Sequence, residues 1–246
     1  MSKSDQLFRG RKKATEASLK RRVVNRQPNR RILIVCEGEE TEKRYFLKFV
    51  NGLDLKAVEV EVSEGKDGSA PISVVEYAER RALGEGLPED GGYELVFCVF
   101  DRDTHESYER AKSKVCDLNS KRDRFPGGSF EAITSVPCFE IWVLYHFHYT
   151  RTPFVASGTK SPCECLLVEF KKSNELRCYN KALSNELLER LISNIPTAKK
   201  HARKAIKDAE ATGEDNPSTL VFRVIECLHG EKEKEAEEAK KSEDHY

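Results

Sequence analysis

Several features that would assign this sequence to a common class are missing from it. No apolar stretch in its 246 residues approaches the roughly 20 residues that a helix needs to cross a bilayer. The N-terminus lacks the apolar core of a signal peptide. No glycine-rich loop has the spacing of a P-loop or of a dinucleotide-binding turn. We therefore expect a cytoplasmic protein that makes no membrane contact and has no dedicated nucleotide cradle.

The eight cysteines include no pair with the C-x-x-C spacing of a zinc knuckle. A C-x-C at residues 163–165 is one residue too short and has no second pair. Four other cysteines, Cys36, Cys98, Cys138 and Cys227, fall inside predicted strands or helices. This pattern predicts reduced, buried thiols rather than a disulfide framework, and it argues against structural zinc.

Charge is balanced overall but divided unevenly along the chain. Residues 1–31 hold eleven basic residues and two acidic ones, whereas residues 231–246 hold seven acids against four lysines. Such runs are typical of solvated termini, and a basic run can also lie along nucleic-acid phosphates. We predict a disordered basic arm at residues 1–30 and a charged tail at residues 231–246. The arm is either a solvated terminus or a segment that contacts nucleic-acid phosphates.

Hydrophobic patterns alternate between strand and helix over residues 31–150. Strands are predicted at residues 31–36, 57–62, 93–100 and 130–136. The helices between them favour an α/β, Rossmann-like fold with a four-stranded, mainly parallel sheet and right-handed crossovers. Residues 151–230 show only helical patterns and form a helical extension, whose last helix is predicted to begin at Asn216 and run through Leu228.

Acidic residues stand where predicted strands end. Glu37 follows the first strand, and Asp101 and Asp103 follow the third. Ligand sites in parallel sheets lie past the carboxyl ends of strands, and carboxylates are ligands that Mg²⁺ prefers. In a regular strand, Asp101 and Asp103 would share one face. Glu140 adds a carboxylate at the start of the next helix, where the helix dipole alone also favours an acid. Glu42, in the first helix, is placed for a second ion.

Three motifs resemble those of the RloB family, whose members have a Toprim-like core and are encoded among bacterial and archaeal restriction and phage-defence genes. They are VCEGEETE at residues 35–42, FDRD at 100–103 and PCFEIW at 137–142, with a further likeness in NPST at 216–219. The resemblance covers most of residues 31–229. It implies that residues 31–150 form a Toprim-like catalytic core.

Toprim domains share one glutamate after the first strand and an Asp-x-Asp after a later one. The resemblance implies that Glu37 is this glutamate, acting as general acid or base, and that Asp101 and Asp103 bind the metal. OLD-type nucleases carry a second acid near the first and a glutamate after a later strand. Glu42, one position later than in those nucleases, and Glu140 are the matching residues here. The implied cofactor is Mg²⁺ or Mn²⁺.

Two further residues are candidates for the chemistry, each with a plainer interpretation. His146 is a candidate catalytic histidine, although a histidine near a helix C-terminus also suits the helix dipole. Lys181 can neutralise charge that develops on phosphorus, or it is a surface lysine. The basic stretch at residues 199–204 offers contacts to phosphates, or it is solvated.

These features predict a metal-dependent nuclease that hydrolyses phosphodiesters in RNA, tRNA included, or in DNA, and acts as an anti-phage or abortive-infection effector. Nucleic acid is the expected partner, together with an ATPase or another defence protein. The alternative is a non-cleaving Toprim-like module that binds a metal or nucleotide and regulates a partner. A primase-like nucleotidyl transferase is less favoured because no zinc-binding or template-binding module accompanies the core.

Overall fold

The computed structural model describes residues 30–63, 70–121 and 123–243. Their centre is a five-stranded sheet with the strand order β2-β1-β3-β4-β5. Its strands are β1 Ile32–Cys36, β2 Val58–Val62, β3 Leu95–Asp101, β4 Ser129–Val136 and β5 Ser218–Thr219. The first four strands pair in parallel, and β5 is antiparallel to β4. The fold is therefore an α/β fold with a mixed, mostly parallel sheet.

Eight α-helices surround the sheet in the described part of the chain. They are α1 Thr41–Leu53, α2 Pro71–Gly84, α3 Tyr108–Ser120, α4 Glu140–Tyr145, α5 Pro162–Phe170, α6 Asn185–Ser193, α7 Ile195–Thr212 and α8 Val221–Glu243. Helices α2 and α3 cover one face of the sheet, and the other helices cover the opposite face. Within the described residues, no helix is both long enough and apolar enough to cross a membrane.

The two central strands are apolar on both faces because both faces are covered. In β1, Ile32 and Ile34 belong to the hydrophobic cluster under α1, whereas Leu33 and Val35 belong to the cluster under α2. Strand β3 alternates in the same way. This explains why both strands read as continuous apolar runs, as buried parallel strands do.

The strand order places a topological switch point between β1 and β3. From β1 the chain leads through α1 to β2 on one side, and then through α2 to β3 on the other side. The register pairs Cys36 with Val99, so that β1 and β3 end at nearly the same level of the sheet. Helices α1 and α2 lie on opposite faces, which leaves a crevice past the strand ends, where ligands bind in open α/β sheets.

The four predicted strands are present, but the predicted count of four is wrong. Ser218 and Thr219 form a fifth strand where the last helix was predicted to begin. Both residues are buried, and Thr219 Oγ1 lies 3.0 Å from Ser135 Oγ on β4. This pairing holds the backbone extended, so the helix begins only at Val221. It then continues to Glu243, through most of the predicted charged tail. Except for Arg30, the predicted basic arm lies outside the described residues.

The prediction of a reduced Cys138 is also wrong. Cys138 and Cys163 form a disulfide between residues 25 positions apart. Only the folding of α5 against the start of α4 brings them together, so that neither the spacing nor the local pattern indicated the pair. Cys36, Cys98 and Cys227 are free thiols, as predicted.

Candidate metal centre

Glu37 lies at the switch point, directly after β1. Its backbone N–H donates to Val99 O at 3.1 Å, which extends the strand pairing by one residue. Its Oε2 accepts a hydrogen bond from the Asp101 backbone N–H at 3.0 Å, and its Oε1 lies 3.2 Å from His105 Nε2. Burial is the main cause that raises the pKa of Glu37 to about 7, and the charge of Asp103 adds to the rise. Glu37 therefore changes protonation near neutral pH.

Asp101 is the last residue of β3. Its Oδ1 is buried and has no hydrogen-bond partner among the described residues. Burial holds the pKa of Asp101 well above its ordinary range, and the neighbouring charges of Glu42, Glu37 and Glu140 raise it further. An unpartnered carboxylate oxygen in a cluster of acids is costly unless a proton or a cation compensates it.

Asp103 does not share a strand face with Asp101, because β3 ends at Asp101. Its backbone turns to a φ of 29°, a conformation that Asp and Asn tolerate better than most residues. The carboxylate then accepts hydrogen bonds from Ser161 Oγ at 3.2 Å and from the Cys163 backbone N–H at 3.3 Å. Asp103 therefore joins the acidic site to the N-terminus of α5.

Glu42 extends the site from the first turn of α1. It is only 8% exposed, and burial, followed by the charge of Glu140, raises its pKa to about 7. Its carboxylate packs against Gly38, where a Cβ atom would collide with Glu42 Oε2. The glycine after Glu37 thus leaves room for a second carboxylate beside the first.

Glu140 is the first residue of α4 and is 3% exposed. Its Oε1 accepts a hydrogen bond from the Tyr179 hydroxyl at 2.9 Å. The same hydroxyl lies 3.2 Å from Thr41 Oγ1 on α1. Glu140 is therefore more than a helix-dipole residue, since the helical extension holds it in the acidic cluster.

The donor set fits a hard divalent cation in its chemistry. Every side chain in the cluster offers carboxylate oxygens, and Mg²⁺ needs only one or two of them because it keeps several waters. In the described residues, the one trio of ligand atoms within 4.8 Å of one another is Cys138, Glu140 and Cys163. Its two sulfurs are bonded to each other and cannot serve as thiolate ligands. A bound cation would therefore use one or two carboxylates, foremost Asp101 with its unpartnered oxygen.

The structure brings the five predicted metal ligands to one edge of the sheet. The two further candidates for the chemistry, His146 and Lys181, lie in different surroundings. His146 is 1% exposed, its Nδ1 lies 2.8 Å from Trp142 O, and its Nε2 lies 3.2 Å from Tyr45 Oη. Burial lowers the pKa of His146 to about 3, so that it is neutral. Lys181 is exposed, and its charge lowers the pKa values of Glu37 and Glu42. Lys181 therefore acts on the site, whereas His146 belongs to the aromatic core.

Two residues of the site were not identified from the sequence. His105 contacts Glu37, and the only local sign of this was its position two residues after Asp103. Tyr179 contacts Glu140 across 39 residues, and no pattern in the sequence indicated it.

Fold and site together define the class: an α/β protein with carboxylates gathered at the switch point of a mostly parallel sheet. A family model described as RloB-like protein matches residues 32–228, and the chain belongs to that family. This confirms the assignment made from the motifs. No curated protein and no solved structure matches the chain.

Proposed function

We propose that this protein is a Mg²⁺- or Mn²⁺-dependent nuclease of the Toprim type. The observation that carries the proposal is the buried Asp101 Oδ1, which lacks a partner among the described residues and lies within the electrostatic reach of three other carboxylates. Such a group is stable when it is protonated or bound to a cation. Asp101 and Asp103 would hold the cation, and Glu42 and Glu140 supply carboxylates for a second one.

Glu37 is the residue best suited to move a proton. Its pKa of about 7 lets it accept a proton from an attacking water, or return one to a leaving oxygen, near neutral pH. The Asp101 N–H and His105 Nε2 each contact one of its oxygens and so fix its orientation. When bound, Mg²⁺ polarises the phosphate and lowers the pKa of water. Lys181 adds positive charge beside Glu37, where negative charge on phosphorus has to be stabilised.

The substrate is proposed as RNA, tRNA included, or DNA, because metal chemistry at a phosphodiester does not depend on the base. The cellular role that we propose is that of an anti-phage or abortive-infection effector, and its support is the resemblance of the motifs to defence-associated proteins. An ATPase or another defence protein is the partner expected in that role.

The test compares wild type with Asp101→Asn on labelled RNA and DNA, in Mg²⁺, in Mn²⁺ and in EDTA. Asp117→Asn is the matched control, since Asp117 is exposed on α3, away from the site. We expect metal-dependent cleavage by wild type and by the control, and a loss of at least about 100-fold in Asp101→Asn, roughly 2.7 kcal/mol in the barrier. Full activity in a folded Asp101→Asn protein would show that the metal assignment is wrong. Mg²⁺ binding by wild type without cleavage of either nucleic acid would favour the non-cleaving module.

A further inference from the structure

A cavity of about 350 Å³ opens beside the acidic site, between α5 and the segment at residues 176–181. Tyr179 lines this cavity and also donates to Glu140. Lys181 lines it too, and acts electrostatically on Glu37. The N-cap residue of α5, Ser161, donates from its Oγ to the Asp103 carboxylate. Residues that line the cavity therefore also contact or act electrostatically on the carboxylates.

The cavity is strongly cationic. Lys160, Lys171, Arg177 and Lys181 line it, and none of them forms an ion pair or a side-chain hydrogen bond with a described residue. Its only acid is Glu164, whose Oε2 already accepts a hydrogen bond from the Ser161 backbone N–H at 2.8 Å, in the capping box of α5. Four cations against one acid in a concave surface attract and concentrate anions.

Several basic residues elsewhere are paired with acids. On α7, Lys199 and Arg203 pair with Glu226 and Lys204 pairs with Asp208, so that most of the cations at residues 199–204 have an acidic partner. A larger cavity of about 600 Å³ lies around His148, but its Lys172 pairs with Glu169 at 2.6 Å. None of the acidic-site residues lines that larger cavity.

Apart from the Asn180 side chain, the remaining lining of the cationic cavity consists of aliphatic and aromatic side chains from α5 and the following segment. Its volume is at the lower end for ligand pockets, which suits one nucleotide unit rather than a double helix. An apolar wall accepts the face of a base, and lysine and arginine accept its phosphates. The mixture of these two surfaces fits an unpaired nucleic-acid strand better than a simple inorganic anion.

We propose that this cavity binds a single strand of nucleic acid next to the bond that is cut. The strand places one nucleotide in the cavity, where Lys160, Lys171 and Arg177 contact phosphates, and it continues past Lys181 to the carboxylates. This inference rests on the proposed nuclease function. It adds two points: the substrate is single-stranded at the site, and the cavity is the place where the strand is bound.

The test measures the binding of labelled single strands of RNA and DNA, and of the DNA duplex, by fluorescence anisotropy in EDTA. The parent is the full chain with Asp101→Asn, so that no cleavage interferes. The cavity variant adds Lys160→Ala, Lys171→Ala and Arg177→Ala. The matched control adds Lys56→Ala, Arg80→Ala and Lys121→Ala, three exposed cations outside the cavity. Thermal melting checks that each variant is folded.

We expect the cavity variant to lose at least about tenfold in affinity for single strands, and the control less than about twofold. Three lost phosphate contacts should make the negative slope of log K against log salt shallower by about 2, since each contact to a single strand contributes about 0.7 to its magnitude. A higher affinity for the RNA single strand or for the DNA single strand identifies which of the two nucleic acids is the ligand.

Three results would overturn the proposal: a parent that binds neither strand, a cavity variant with unchanged affinity and slope, or a cavity-dependent preference for the duplex. Because binding is measured without metal, these results are independent of whether wild type cleaves. A cavity-dependent loss of binding together with an inactive wild type would uphold the strand site and reject only the nuclease function.

Discussion

Replacing Glu37 by Gln is expected to stabilise the folded protein at alkaline pH when no metal is present. The folded state raises the pKa of Glu37 from 4.5 to about 7. Well below pH 4.5 the residue is protonated in both states and has no effect on stability. As pH rises from 4.5 to 7 the unfolded chain releases its proton first, so the free energy of unfolding falls. Above pH 7 the full cost of about 3 kcal/mol is present, since each pKa unit corresponds to about 1.4 kcal/mol.

Glutamine keeps the shape of the side chain and its acceptor for the Asp101 N–H, but it carries no charge. We therefore expect the free energy of unfolding of Glu37→Gln to exceed that of wild type by about 1–3 kcal/mol at pH 8 in EDTA, which is roughly 2–12 °C in melting temperature. At pH 5 the difference should be much smaller. The measurement is thermal or urea unfolding at both pH values, with the exposed Glu39→Gln as the matched control.

Mg²⁺ should reverse the order of the two proteins. A cation that binds only the folded state adds stability that grows with its concentration, and wild type at pH 8 should gain more than Glu37→Gln. The reasoning would be refuted by equal melting of the two proteins at pH 8 in EDTA, or by a gain that is as large at pH 5 as at pH 8.

Four further outcomes are expected. Asp103→Asn should keep its backbone turn and its melting temperature but lose about 100-fold or more of the metal-dependent cleavage, roughly 2.7 kcal/mol in the barrier; cleavage at the wild-type rate would remove Asp103 from the site. Tyr179→Phe, which removes the hydroxyl that donates to Glu140, should cost about 1 kcal/mol of stability and raise the Mg²⁺ concentration needed for activity; an unchanged Mg²⁺ dependence would contradict this. His146→Ala should cost about 2–4 kcal/mol through the cavity it leaves yet cleave normally below its melting temperature, and an inactive folded variant would assign His146 to the chemistry. Deletion of residues 1–28 should greatly weaken nucleic-acid binding at low salt and change the melting temperature little. Equal affinity with and without these residues would contradict the prediction that the basic arm binds nucleic acid.

The tertiary structure corrected the predictions from the sequence where contacts join distant segments. The fifth strand exists because Thr219 pairs with Ser135 across 84 residues, against a local pattern that favoured a helix. Tyr179 and Thr41 meet across 138 residues, and this contact places the helical extension over the acidic cluster. Hydrophobic periodicity reports which face of an element is buried, but not which element covers it.

The sequence by itself determined the central strands and the acids that follow them. Buried parallel strands require continuous apolar runs, and parallel strands bring their carboxyl ends to one edge, so the positions of Glu37 and Asp101 followed from the pattern alone. Only the tertiary structure decided that Asp103 turns towards α5, that His105 contacts Glu37, and that unpaired cations meet in a cavity beside Tyr179. The physical reason is that backbone turns and long-range packing orient side chains, and neither leaves a periodic signal in the sequence.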